Sequence, residues 1–349
     1  MNRIDRIRYY EGILTVCVVL ALIVLSIVWS GDPFTPLQQR TLNTLLVICG
    51  CSIAYCFIAG EITHNYSQMD KLWSLLPIVY LWVIAIRGGM SVRLVAFALI
   101  VTAWGVRLTV NFARKGAYRL KFWEGSEDYR WSIVRSNPIF AHGFAWTLFN
   151  LFFISAYQNL LVLAITLPAL ACMQSAAGFG IVDTVAAVLA LAFLVLETIS
   201  DEYQWRFYQT KKKLLAREST DGNHPAEAGS DGEPVRNGGA DGRLPVPYDL
   251  GFNTTGPWAY MRHPNYLGEQ GMWLSLYLFA VGAGAASHGL FHITMAGPLL
   301  LILLFMGSSA LGESISSGKY PRYRDYIKQV FKYIPLRKFD PSRDEAESC

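Results

Sequence analysis

Apolar runs of roughly membrane-spanning length recur along this chain, and no other feature narrows the possible folds as far. They lie at about 13 to 29, 42 to 58, 72 to 86, 94 to 110, 144 to 167, 181 to 200, 266 to 283 and 291 to 311. A helix crossing hydrocarbon needs about 20 mostly apolar residues and satisfies every backbone polar group within itself. Eight crossings are therefore expected, or seven, because several windows are a little short and the last pair would also suit a hairpin dipping into the membrane. The composition agrees: of 349 residues, 53% are apolar, 13% aromatic and 16% charged. The expected class is all-α, a polytopic membrane helical bundle with seven or eight transmembrane helices.

Lys and Arg gather on the cytoplasmic side of short membrane loops, and the eight-span arrangement separates them well. Its cytoplasmic segments hold Arg3, Arg6 and Arg8, then Lys71, six cations from Arg114 to Arg135, eight from Arg206 to Arg262 and eight from Lys319 to Arg343. The opposite face holds Arg40, Arg87 and Arg93, and Arg107 lies inside a span. Both termini are thus expected in the cytoplasm, in the plasma membrane of a bacterium or the endoplasmic reticulum of a eukaryote. The net charge of +4 follows from this bias and points to anionic lipid headgroups, not nucleic acid. Cys17, Cys49, Cys51, Cys56 and Cys172 fall in apolar stretches and Cys349 is terminal, so no disulfide framework and no metal site is expected. The basic residues before the first apolar run mimic a signal peptide, but without a small-residue cleavage pattern they read as a signal anchor.

Residues 1–63 read as an N-terminal transmembrane hairpin, 64–335 as the main membrane domain and 336–349 as a polar tail. Within the main domain, 218–246 is rich in Gly, Asp, Glu, Pro and Asn and is expected to be a disordered insertion loop.

The stretch Gly256 to Glu269, GPWAYMRHPNYLGE, carries the densest polar chemistry. Pro264 suits a first helical turn, which places Asn265 and Glu269 one turn apart on one face. A carboxylate at that depth costs about 2.5 to 3.5 kcal/mol and is a functional-site hypothesis by default. A second stripe, Glu197, Asp201, Gln204 and Tyr208, follows helical spacing. Its two carboxylates call for hydroxyl, amide or guanidinium partners; a ribose, an adenine amino group or an Arg would serve. Glu202 reads as a marker of the membrane boundary.

Arg107 shares a helix face with Trp104 and Asn111, and either snorkels or binds an anion. The six cations beginning at Arg114, with nearby aromatics, would hold a polyphosphate or anionic lipid. Asp70, one turn from Trp73, is either a helix cap or a functional acid. Glu313 lies just inside the membrane end of the last apolar run. Gly-rich phosphate loops, nucleophile elbows and His pairs at metal spacing are not seen.

With these motifs in hand, the chain resembles the steroid 5α-reductase-like membrane reductases, in the branch called domain of unknown function 1295. The resemblance rests on Asp70 with Trp73, WGVRL from Trp104, EDYRW from Glu127, ETISDEYQ from Glu197, RHPNYLGE from Arg262 and the KYPRYRDY tail, and covers most of 64–335. It implies an enzyme of lipid metabolism that binds NADPH in a cytoplasm-facing cavity and reduces a C=C bond conjugated to a carbonyl in a lipophilic substrate. By position it implies that Glu197, Asp201, Arg262, His263, Asn265, Tyr266, Glu269 and Glu313 line the cofactor cavity, and Arg107, Asn111 and Arg114 are added as cofactor-binding candidates. Asp70 and Trp104 occupy roughly the places of the steroid enzymes' carbonyl-polarising acid and tyrosine. An indole is a poorer acid than a phenol, so the resemblance does not carry a steroid substrate with it. RHPNY-like strings also occur in isoprenylcysteine and phospholipid methyltransferases. An S-adenosylmethionine-dependent methyltransferase therefore stands as the alternative, beside a non-enzymatic lipid-binding membrane protein.

Overall fold

The computed structural model describes residues 3–30, 33–220, 227–228, 234–235, 244–286 and 289–342. Its helices, in chain order, are α1 (Arg3–Val28), α2 (Pro36–Thr63), α3 (Gln68–Leu72), α4 (Leu76–Arg87), α5 (Val92–Ala113), α6 (Tyr129–Arg135), α7 (Gly143–Phe149), α8 (Gln158–Ala171), α9 (Ile181–Thr220), α10 (Pro264–Gly282), α11 (Ala296–Lys319) and α12 (Tyr323–Gln329). A π-helical stretch, Asn150–Tyr157, joins α7 to α8. The β structure among the described residues is a short antiparallel pair, β1 (Glu227–Ala228) with β2 (Pro234–Val235), and an isolated bridge between Met261 and Phe331. The expected 218–246 loop starts later than the composition suggests, because α9 continues to Thr220; much of the remainder lies outside the described residues.

Local sequence sets several helix ends. Thr35 and Gln38 form a reciprocal capping box ahead of Pro36, so α2 begins with its orphan N–H groups satisfied. Ser91 caps α5 through the Leu94 N–H, and Asp128 caps α6 through the Arg130 N–H.

Five helical segments among the described residues are long and apolar enough to cross a membrane: Pro36–Thr63, Val92–Ala113, Gly143–Ala171, Ile181–Arg217 and Ile293–Lys319. Two further expected crossings correspond to shorter apolar helices, Gly12–Val28 and Leu76–Arg87. The last, α10, opens with the polar motif. Val47, Ile62, Ile86, Phe144, Phe152 and Val188 leave most of their surface uncovered by protein, as lipid-facing side chains do. This is an integral membrane protein of helical class.

The chain divides into two compact units, one over Ile13–Ala192 and Gln270–Leu303, the other over Met1–Gly12, Phe193–Glu269 and Leu304–Cys349. In the first, α4 packs on α5 and α8, and α2 on α8 and the π stretch, around fully buried Leu45, Leu81, Ile84, Phe97 and Val101. Helices α5 and α10 run antiparallel, with Phe97 stacked on Phe279 at 5.5 Å and Trp104 edge-on to Trp273 at 5.2 Å. The Arg93 guanidinium closes one end of this ladder. It donates to both Asp183 oxygens at 2.6 and 2.9 Å, to the Ser175 hydroxyl, and to the carbonyls of Ala177, Gly178 and Gly282.

In the second unit, Leu250, Phe252, Tyr323, Tyr326, Val330 and Phe339 form an aromatic core. The Phe339 N–H donates to the Ala259 carbonyl at 2.8 Å. The polar tail is thus pinned over at least its first residues. The hydroxyl of Tyr326 donates to the Trp258 carbonyl and, at 3.1 Å, to that of Met261. The main chain of 261–263 is held alongside 331–332, with Arg262 N–H to the Phe331 carbonyl at 3.0 Å and His263 N–H to that of Lys332 at 3.1 Å.

Candidate functional site

The RHPNYLGE stretch opens α10 at Pro264, where the missing proline N–H costs no intrahelical hydrogen bond. In the second unit α9 runs antiparallel beside its first turns. Asn265 Nδ2 lies 3.4 Å from Asp201 Oδ1. One turn on, Gly268 sits against Glu197 so closely that a Cβ there would meet the Glu197 Cβ at 2.6 Å and its backbone N at 2.8 Å. Two motifs more than sixty residues apart are therefore joined at two points, and a glycine makes the approach possible. Glu197 is 2% exposed and Glu269 8%, so both carboxylates are inside. Gln204 Oε1 and Asn265 Oδ1 are buried and have no donor among the described residues.

Next to this acceptor-rich face, Glu313 of α11 organises the start of the motif. Its Oε1 takes the Arg262 Nε–H at 2.8 Å and lies 2.8 Å from His263 Nε2. Arg262 also donates through Nη1 to the carbonyls of Ile327 and Val330, at 3.2 and 2.6 Å. It braces the 327–330 segment as much as it presents charge. Burial lowers the His263 pKa from the ordinary imidazole value, against the raising effect of Glu313. The neutral ring, with its proton on Nε2, then donates to Glu313 and leaves Nδ1 an acceptor. His263 stacks on Tyr266 at 5.2 Å, and the Tyr266 hydroxyl lies 3.2 Å from the Ser308 hydroxyl. Lys332 donates to Ser309 at 3.1 Å.

Asp70, Trp104, Arg107, Asn111 and Arg114 belong to the first unit. Asp70 is not the cap of α3: that position is Ser67, which makes no side-chain cap bond to the backbone. Instead Asp70 Oδ2 accepts from Trp131 Nε1 at 2.9 Å. Burial raises its pKa from the ordinary carboxylate value, and nearby Asp128 adds to this, while Arg130 and the Trp131 and Ser67 hydrogen bonds oppose it. The loop around it is tied down by Lys71, which is fully buried and donates to the Phe122 and Glu124 carbonyls at 2.9 and 2.8 Å.

Trp104 is fully buried, and its Nε1 finds no acceptor among the described residues, so it is not bonded to Asp70. Arg114 forks onto Asn111 Oδ1 at 3.0 and 2.9 Å. Glu202 pairs with Arg206 at the surface at 2.8 Å, as a boundary marker would. A groove of about 380 Å³ lined by Tyr55, Ile58, Ala59, Ile62, Thr63 and Trp123 holds none of the candidate residues. Sequence reasoning left out Trp131 as the partner of Asp70, Ser308 beside Tyr266, and Trp273 opposite Trp104. Of these only Trp131 stood in a recognised motif, and nothing local connects it with Asp70.

Comparison with known proteins places these motifs in a family. The chain is 33% identical over 297 residues to the uncharacterized protein C594.04c of Schizosaccharomyces pombe, covering 80% of this chain and 77% of that protein. No solved structure matches. The family model described as Protein of unknown function (DUF1295) matches residues 56–330. That span takes in Asp70, the Trp104 helix, the Glu197 stripe, the Arg262 to Glu269 motif and Glu313, and the chain belongs to the DUF1295 family.

Proposed function

We propose that this protein is an NADPH-dependent membrane oxidoreductase that reduces a C=C bond conjugated to a carbonyl in a lipophilic substrate. The observation that carries the reading is the junction of α9 with α10, where Asp201 meets Asn265 and Glu197 backs onto Gly268. It assembles Glu197, Asp201 and Glu269 with two amide oxygens, Gln204 Oε1 and Asn265 Oδ1, that have no donor among the described residues. Buried acceptors call for donors, and the hydroxyl and amino groups of an adenine nucleoside supply them.

The residue set therefore fits a nucleotide. Glu197, Asp201, Asn265 and Glu269 would hold its sugar and base, with Tyr266 and His263 as flat faces beside them and Glu313 fixing the orientation of Arg262 and His263. Bound NADPH would supply the two reducing electrons as hydride.

The protein's own groups supply the rest. A carbonyl oxygen gaining negative charge is stabilised by donors already in place. Trp104 is a candidate donor, and Asp70, its pKa raised by burial, is a candidate acid. In this reading the chain crosses the membrane seven or eight times, and both termini and the nucleotide site face the cytoplasm.

The test is thermal stabilisation and equilibrium binding of the detergent-purified protein with NADPH, NADH and S-adenosylmethionine, using Glu269→Gln and Asn265→Ala as controls. Stabilisation by NADPH that both substitutions abolish is the expected result. Stabilisation by S-adenosylmethionine would instead move the protein to the methyltransferases, and no response to any of the three would leave a lipid-binding protein without a cofactor.

A further inference from the structure

Trp104 on α5 and Trp273 on α10 are each fully buried. They meet edge to face, with ring centroids 5.2 Å apart and planes at 80°. Neither indole Nε1 has an acceptor among the described residues. A buried N–H without a partner carries its desolvation cost uncompensated, and such groups call for an explanation. The mutual packing accounts for one at most. In an edge-to-face pair only one ring directs its edge at the other's π face, so at least one N–H is left over.

The surroundings make this sharper. Along the same helix pair the next contact is apolar, Phe97 on Phe279, and beyond it Arg93 and Asp183 satisfy each other with neighbouring carbonyls. Phenylalanine would fill the Trp104 and Trp273 positions with less polar cost. Two indoles in that place put two hydrogen-bond donors between the helices.

We propose that Trp104 and Trp273 form a two-donor site for the carbonyl oxygen of an uncharged lipophilic ligand. Trp273 is then a second carbonyl-polarising group that no motif in the sequence marks. Indole N–H groups donate only, which suits an acceptor carrying no proton of its own. A carbonyl oxygen has two lone pairs and can take both bonds. The site also avoids the charge that would make entry from lipid costly. This deepens the reductase reading and rests on it for the reaction, but the donor pair itself is testable without any cofactor.

The experiment is NMR of the full-length protein in nanodiscs with 15N-labelled indoles, resonances assigned through Trp104→Phe and Trp273→Phe. The probes are a long-chain α,β-unsaturated ketone, a 3-keto steroid and the hydrocarbons that lack the oxygen. The expected result is that both N–H groups report no strong acceptor in the ligand-free protein and shift together with at least one ketone but not with its hydrocarbon. Each Phe variant is expected to weaken that ketone's binding about tenfold while leaving ligand-free thermal stability unchanged or raised.

Two results would overturn the proposal. One is both N–H groups already strongly hydrogen-bonded without ligand, as by a trapped water; the other is no response to any carbonyl probe. NADPH binding measured on the same samples separates the two ideas. A ketone response without NADPH binding removes the reductase reading and keeps the donor pair, and NADPH binding without a ketone response does the reverse.

Discussion

The imidazole Nε2 of His263 lies 2.8 Å from Glu313 Oε1, the oxygen that also takes the Arg262 Nε proton. One carboxylate thereby fixes two consecutive side chains at the entrance to α10, and it does so with the histidine held neutral by burial.

That arrangement gives stability a pH dependence. A histidine whose pKa is lowered by folding binds its proton more readily in the unfolded chain, so the unfolded state gains protons first as pH falls. Stability is then full above the unfolded value of about 6.5 and declines as pH drops below it toward the folded value. The melting temperature is expected to fall between pH 7 and pH 5.5, and a His263→Gln variant is expected to show a flatter profile. Parallel pH-melting curves of the two proteins check this.

Asp70 works in the opposite sense. Its pKa is raised by folding, so raising the pH through that value forces a charge into a buried position and lowers stability. Asp70→Asn keeps the shape and the acceptor for Trp131 while removing the ionisation. The variant is expected to melt at or above the wild-type temperature at pH 8 and to lose at least tenfold in turnover of any enone the wild type reduces. Thermal unfolding and single-turnover assays on one preparation report both.

Arg93 reaches Asp183, Ser175 and three carbonyls with a planar fork of donors. A lysine ammonium cannot meet that set. Arg93→Lys is expected to destabilise by about 3 kcal/mol, the scale seen when one partner of a buried pair is broken. Asp183→Asn should fall in the same direction. Detergent or denaturant unfolding midpoints measure both.

Gly268→Ala tests the approach of α9 to α10. The added Cβ would meet Glu197 at 2.6 Å, and backbone atoms cannot yield as a flexible side-chain tip does. A cost of about 1 to 3 kcal/mol is expected, together with loss of nucleotide binding larger than that of a surface Gly→Ala control. Melting temperature and nucleotide titration, compared across the two variants, decide it.

Much of this was legible in the sequence, and the division between what was and was not is physical. Apolar runs announce helices because lipid demands closed hydrogen bonding within each segment. The Glu197, Asp201 and Gln204 stripe was readable because a helix repeats every three to four residues. The stripe's carboxylates called for amide, hydroxyl or guanidinium partners, but that Asn265 meets Asp201 depends on where α10 lies against α9. The bond from Trp131 to Asp70 spans 61 residues, and the Arg93 to Asp183 pair spans 90; the path of the intervening chain sets these, and no local period encodes it. Glu313 stood out as a carboxylate near the membrane, but its hold on Arg262 and His263 depends on where α11 lies. Trp273 carried no signal, because an indole in an apolar helix looks like packing.

The π stretch Asn150–Tyr157 amounts to a phase change in the helical run 143–171. Just ahead of it and at its first residue, Thr147 and Asn150 donate to Glu61 at 3.1 and 2.8 Å; beyond it, Asn159 donates to the Ser155 carbonyl at 2.8 Å and faces Cys56 at 3.7 Å. Glu61 and Cys56 both belong to α2. In a regular α-helix each residue advances the face by about 100°, and a π turn absorbs a surplus of residues without that advance. Removing a single residue there would restore a regular screw and swing one set away from α2 while the other stayed. The wide turn is thus a spacer in the angular sense, and a relative one residue shorter at this point would have to anchor α2 by different side chains.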